Sequence, residues 1–168
     1  MRGNEVWDSL ATTQAKSVLD DIAHDAADQA KGNDRLLFDM NKSLKDKTTY
    51  SLNASFRVAA LQNSLVVLGR RLDRFSVEVD KAAHPIGEQA RIKFAVAAAG
   101  KGAELDAIVN SWRAGRFDEA MEHLKKAQEY LDVMRKLVAC LQDSVVGKKP
   151  ACDPNQFSMP DDEKKSPA

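Results

Sequence analysis

Apolar residues recur at alternating intervals of three and four residues in two long segments. This spacing restricts the chain to helices that pack along their length. The first set is Val58, Leu61, Leu65, Leu68, Leu72, Phe75 and Val79. The second set is Ala120, Leu124, Ala127, Leu131, Met134, Val138, Leu141 and Val145. Because such heptad spacing keeps one side of an α-helix against a neighbour, the sequence predicts two long helices with apolar seams.

Two weaker apolar stripes predict further helices. Residues 4–31 form an amphipathic pattern that we expect to end at Gly32 and Asn33, since these residue types adopt the left-handed conformation that terminates helices. A shorter helix is expected directly after this stop. The next long helix begins at Pro85, because the residue before a proline is pushed out of the helical region, and it ends at Gly115.

Long helices joined by short turns fold back on one another. The predicted fold class is therefore all-α, an elongated up-and-down antiparallel bundle of three to four long helices. We expect residues 1–147 to form this single domain. Residues 148–168 are rich in proline and have balanced charges, so they are predicted to be a disordered or tethered tail.

The charge balance narrows the classes of partner. Lys plus Arg and Asp plus Glu number 25 each in the 168 residues, and dedicated nucleic-acid binders normally show a basic excess. The longest apolar run, 94–100, is far shorter than the roughly 20 residues that span a bilayer. We therefore expect a protein partner, with no nucleic acid and no membrane span.

An aspartate cluster around one histidine suggests a metal site. Asp21, His24, Asp25 and Asp28 are spaced so that they share one patch of a helix, and carboxylates with imidazole at this spacing bind divalent metals in helical bundles. A second helix has to supply further ligands, and the best candidates are Glu119, Glu122 and His123. The alternative is that these residues are the ordinary charged, solvent-facing side of an amphipathic helix.

The two cysteines leave two interpretations open. Cys140 lies beside the second seam and faces outward by the heptad count, and Cys152 follows in the tail. A disulfide between them would pin the tail to the helix and indicate an oxidising compartment, periplasmic or extracellular, with a signal peptide already removed. The alternative is two ordinary cytosolic thiols.

The function that these features favour is a non-enzymatic protein-binding module that acts through helix faces, with a homodimer as one arrangement. Arg70, Arg71 and Arg74 are the candidate interaction surface, for an acidic partner or a phosphate. One alternative is a metal-dependent enzyme that uses the Asp/His cluster, with a divalent metal as cofactor. Another is a carrier of small apolar ligands, with a cavity near the small residues 97–103.

Overall fold

The computed structural model of the chain describes residues 9–46, 58–60, 62–63, 85–147 and 152–160. Helix α1 comprises Ser9–Asp46, α2 comprises Pro85–Arg113 and α3 comprises Phe117–Val145. A short 3-10 helix, Pro154–Gln156, follows. Within these ranges there is no β-strand. The predicted all-α bundle is confirmed.

Helices α2 and α3 form an antiparallel pair joined by a three-residue turn. Gly115 adopts a positive φ of 76°, and its backbone N–H donates to the carbonyl of Trp112 over 3.0 Å. The Arg116 N–H donates to the carbonyl of Ser111 over 2.9 Å. The rings of Trp112 and Phe117 pack edge to face across the turn, with centroids 4.7 Å apart. The helix end that Gly115 predicted is therefore confirmed.

Helix α1 packs along α3 in the opposite direction. Near the start of α1, Asp20 accepts a hydrogen bond of 3.1 Å from Gln142, near the end of α3. Further along α1, Asn33 faces the middle of α3 at Leu131. With 38 residues, α1 extends over roughly 55 Å at 1.5 Å per residue, so the bundle is elongated.

The core follows the predicted seam of α3 along its whole length. All eight of its seam positions, from Ala120 to Val145, are buried. They pack against buried residues of α2 that include Phe94, Leu105 and Ile108. From the first predicted seam, Val58 is buried in the same core, and its remaining positions lie outside the described residues.

The predicted stop at Gly32 and Asn33 is wrong, because α1 continues through both residues to Asp46. The buried residues of α1 are Leu19, Ile22, Ala26, Gln29, Asn33, Leu36 and Met40, again at intervals of three and four. A glycine inside a helix costs about 1 kcal/mol. Burying several large apolar side chains on one continuous face contributes more than that, so packing overrides the local signal.

Candidate functional site

A layer of buried polar side chains crosses the middle of the apolar bundle. Gln29 and Asn33 lie on the buried face of α1, and Lys101 lies on the buried face of α2, each at most 1% exposed. The Lys101 ammonium donates a hydrogen bond to the Gln29 side-chain oxygen. Among the described residues no carboxylate pairs with it. We call these three residues the polar layer.

Burial alters the chemistry of Lys101. Removing the ammonium from water lowers the pKa of Lys101 from 10.5 to about 7, because desolvation penalises the charged form. Near neutral pH the side chain is therefore close to half protonated. The polar layer therefore contains a buried group whose charge changes with pH.

Packing is close around Gly100, the residue before Lys101. A Cβ atom at Gly100 would lie 2.8 Å from Cδ1 of Tyr130 and nearer still to two other atoms of the ring. The absence of a side chain therefore lets the Tyr130 ring approach α2, and Tyr130 is only 4% exposed. The apolar cavity that the sequence suggests at 97–103 is filled over Gly100 by this ring.

The side chain of Asn33 is fully buried. Within the part of the chain that the structure describes, neither its Nδ2 nor its Oδ1 atom has a partner. Asn33 lines a cavity of about 280 Å³ between α1 and α3, which we call the α1–α3 cavity. The other lining residues are Ala30, Asp34, Gln128, Leu131, Asp132 and Arg135.

The metal-ligand candidates on α1 are separated from those on α3. His24 is 79% exposed, and its Nε2 lies 3.9 Å from an Asp28 oxygen. His123 instead pairs with Glu104 of α2, with 2.5 Å between Nδ1 and Oε2. Since Asp20 lies beside Gln142, the antiparallel register separates His24 from His123 by about 20 Å along the bundle.

The other predicted metal ligands are likewise separated between α1 and α3. Asp21 and Asp25 stay on α1 near His24, whereas Glu119 binds Arg116 over 2.7 Å near the start of α3, with Glu122 in the next turn. In the described ranges, no three His, Cys, Asp or Glu side chains are grouped so that they would hold a metal ion. The structure therefore does not bring the two predicted ligand groups together.

Cys140 and Cys152 form a disulfide, with 5.4 Å between their Cα atoms. The prediction that Cys140 faces outward is wrong, since Cys140 is 2% exposed. The segment 152–160 lies over this part of the bundle. Met159 is buried, and the Phe157 carbonyl accepts a hydrogen bond of 2.8 Å from Lys93 of α2. The disulfide and this hydrogen bond thus attach the segment to both α3 and α2.

The outer side of α2 is apolar and exposed. Ile92 is 49% exposed and Val96 is 53% exposed. Ala95, Ala99 and Ala103 are exposed on the same helix. The charged residues between Ile92 and Ala103 are Lys93, which is half-buried and donates to the Phe157 carbonyl, and Lys101, which is buried. We call Ile92, Ala95, Val96, Ala99 and Ala103 the α2 face. The arginines predicted as an interaction surface, Arg70, Arg71 and Arg74, lie outside the described residues.

None of the helices in the described ranges is long and apolar enough to cross a bilayer. In comparisons with known proteins, no family model matches the chain, and no curated protein or solved structure matches it.

Proposed function

We propose that this protein is a non-enzymatic helical module that binds another protein through the α2 face. The observation that supports this proposal is an exposed, uncharged surface on a helix whose opposite side is already buried in the core. A helix that is apolar on both sides is normally covered on both sides. Exposed single apolar residues are common, but a contiguous apolar strip indicates a contact surface.

The other outer surfaces of the bundle have the opposite character. The exposed side of α1 presents charges at Asp21, His24, Asp28, Lys31 and Arg35. Phe38 is a single exposed apolar residue on that charged side. Charged surfaces favour solvent over association, so α2 is the described helix whose outer surface is best suited to a partner.

The spacing of the α2 face indicates the kind of partner that fits it. Ile92, Val96, Ala99 and Ala103 lie at intervals of four, three and four residues. This is the spacing with which one helix packs along another. Alanines at two of these positions allow the partner backbone to approach closely. The expected partner is therefore an amphipathic helix with its own apolar seam, on another protein or on a second copy of this chain.

Charge substitutions on the α2 face test this proposal. Ile92→Lys and Val96→Lys each place an ammonium in the proposed contact, and each removes burial worth about 1.5–3 kcal/mol. We expect the affinity for the partner to fall at least tenfold, since tenfold corresponds to about 1.4 kcal/mol. Self-association is measured by analytical ultracentrifugation. Contact with another protein is measured by site-specific photo-crosslinking from position 96 in the source cells.

Phe38→Lys is the matched control. It also replaces an exposed apolar residue with lysine, but on the charged side of α1, so association should remain as in the wild type. A photo-crosslinker at position 38 should give no adduct of defined mass. The proposal fails if the protein stays monomeric and position 96 yields no more defined adduct than position 38. It also fails if Val96→Lys leaves an observed association unchanged.

A further inference from the structure

The exposed side of α2 has a spacing that is the same in both directions along the helix. Six exposed residues lie at intervals of three, four, three, four and three, and we call them the outer seam. They are Gln89, Ile92, Val96, Ala99, Ala103 and Asp106. Such intervals keep one side of a helix against a neighbouring helix. Because the series is symmetric about its centre, an antiparallel second copy of α2 can place its own outer seam opposite this one, position by position.

The sizes of the side chains in the outer seam fit this antiparallel arrangement. Val96 then lies opposite Ala99 of the second copy, and Ile92 lies opposite Ala103 of the second copy. Both branched side chains are about half exposed, at 53% and 49%, and each meets the space left by an alanine. A parallel arrangement instead places valine against valine and alanine against alanine. Since interface cores are packed as densely as protein interiors, the antiparallel arrangement is the better fit.

The polar ends of the outer seam favour the same orientation. The antiparallel arrangement places Gln89 opposite Asp106 of the second copy, once at each end of the contact. The Gln89 amide can donate to this carboxylate. Asp106 already accepts a hydrogen bond from Gln62, and a carboxylate has lone pairs for further donors. A parallel arrangement would place two Asp106 carboxylates opposite each other, and like charges at a contact repel.

We infer that two copies of this chain pair antiparallel through the outer seam, about a two-fold axis between Val96 and Ala99. A two-fold contact uses the same surface on both copies, so that surface has to be complementary to itself. The outer seam is self-complementary in spacing, in size and in polarity. The inference rests on the proposed function, because the outer seam contains four residues of the α2 face, and it names a second copy as the partner.

Analytical ultracentrifugation provides the first test. A contact through one helix of each copy is small, so association is measured at protein concentrations of about 10–300 μM. The wild type should dimerise, Val96→Lys should raise the dissociation constant at least tenfold, and Phe38→Lys should leave it unchanged. A wild type that stays monomeric overturns the inference. Photo-crosslinking from position 96 then tests the proposed function separately, because a defined adduct with another protein would retain that function, whereas the absence of an adduct would overturn both.

Cysteine cross-linking tests the orientation. Both native cysteines are held in the Cys140–Cys152 disulfide, so introduced thiols can be oxidised by dissolved oxygen without native thiols competing. Ile92→Cys and Ala103→Cys are prepared with tags of different mass. In the antiparallel pair, position 92 lies opposite position 103 of the second copy, whereas the two positions 92 are roughly 16 Å apart along the helices. A disulfide requires Cα atoms within roughly 7 Å.

The mixture of the two variants should therefore give a disulfide-linked dimer that contains both tags. Neither variant alone should give a comparable yield, and Ile92→Cys mixed with Phe38→Cys should give only background. Efficient linkage of Ile92→Cys to itself would show a parallel pair and overturn the inference. A dimer in ultracentrifugation without linkage between positions 92 and 103 would overturn it as well.

Discussion

The dependence of unfolding on pH tests whether Lys101 is held in the core as a partly neutral amine. In the folded protein burial lowers the pKa of Lys101 to about 7, whereas the unfolded chain has the ordinary value of 10.5. Between these two values the unfolded state binds one more proton than the folded state. Stability must therefore rise with pH in this window and fall as the pH decreases towards 7.

The expected magnitude follows from these two pKa values. One proton that is bound in the unfolded state but not in the folded state adds about 1.36 kcal/mol to the free energy of unfolding for each pH unit. Between pH 7 and pH 9 the free energy of unfolding should therefore increase by about 2 kcal/mol. For a chain of this length, this corresponds to an increase of about 4–8 °C in the unfolding midpoint.

Urea unfolding followed by circular dichroism at several pH values between 7 and 9 measures this effect. Lys101→Met has a similar shape and no titrating group, so the increase of about 2 kcal/mol should disappear from its profile. Lys125→Met, which alters an exposed lysine of α3, should keep the wild-type profile. If wild type and Lys101→Met show the same slope over this range, Lys101 does not titrate in the core, and the reasoning is refuted.

Two further predictions concern packing and the disulfide. Gly100→Ala should destabilise the protein by about 1–3 kcal/mol, because the new methyl group collides with the Tyr130 ring. Gly102→Ala meets nothing within 4 Å and should stabilise the helix by about 1 kcal/mol; equal effects of the two substitutions in thermal unfolding would contradict the packing described. Reducing the Cys140–Cys152 bond, which closes a loop of sequence separation 12, should cost about 3 kcal/mol in urea unfolding. Replacing both cysteines with alanine should cost the same and abolish the response to reductant; a wild-type stability that does not respond to reductant would count against the bond.

The parts of the fold that the sequence predicted correctly rest on uninterrupted apolar spacing. The seam of α3 was visible because all eight positions are apolar, and all eight are buried. The end of α2 could be predicted because residue 115 is a glycine. In the structure this glycine adopts the positive φ that the tight turn requires. In both cases the local pattern and the tertiary environment favour the same structure, so the pattern alone was sufficient.

The parts that were missed have polar residues at buried positions. Gln29 and Asn33 occupy buried positions of the α1 seam. The predicted end at Gly32 and Asn33 rested on residue types that commonly terminate helices, and that local signal concealed the continuation of the seam. Lys101 is four residues after Ala97 and four before Leu105, both of which are buried. The spacing of Lys101 from these two residues was the only sequence signal of its burial. Because lysine is almost always exposed, the sequence analysis did not place Lys101 in the core.

The sequence by itself determined the class of fold, because the spacing of apolar residues allows long helices to bury their surface only against one another. The tertiary structure decided which polar residues share the core and which apolar residues stay outside it. The faces of α1 and α2 that pack in the bundle bury three polar residues, Gln29, Asn33 and Lys101. The outer side of α2 leaves two apolar residues, Ile92 and Val96, exposed. Burial depends on the neighbours that a side chain meets, and those neighbours come from distant parts of the chain.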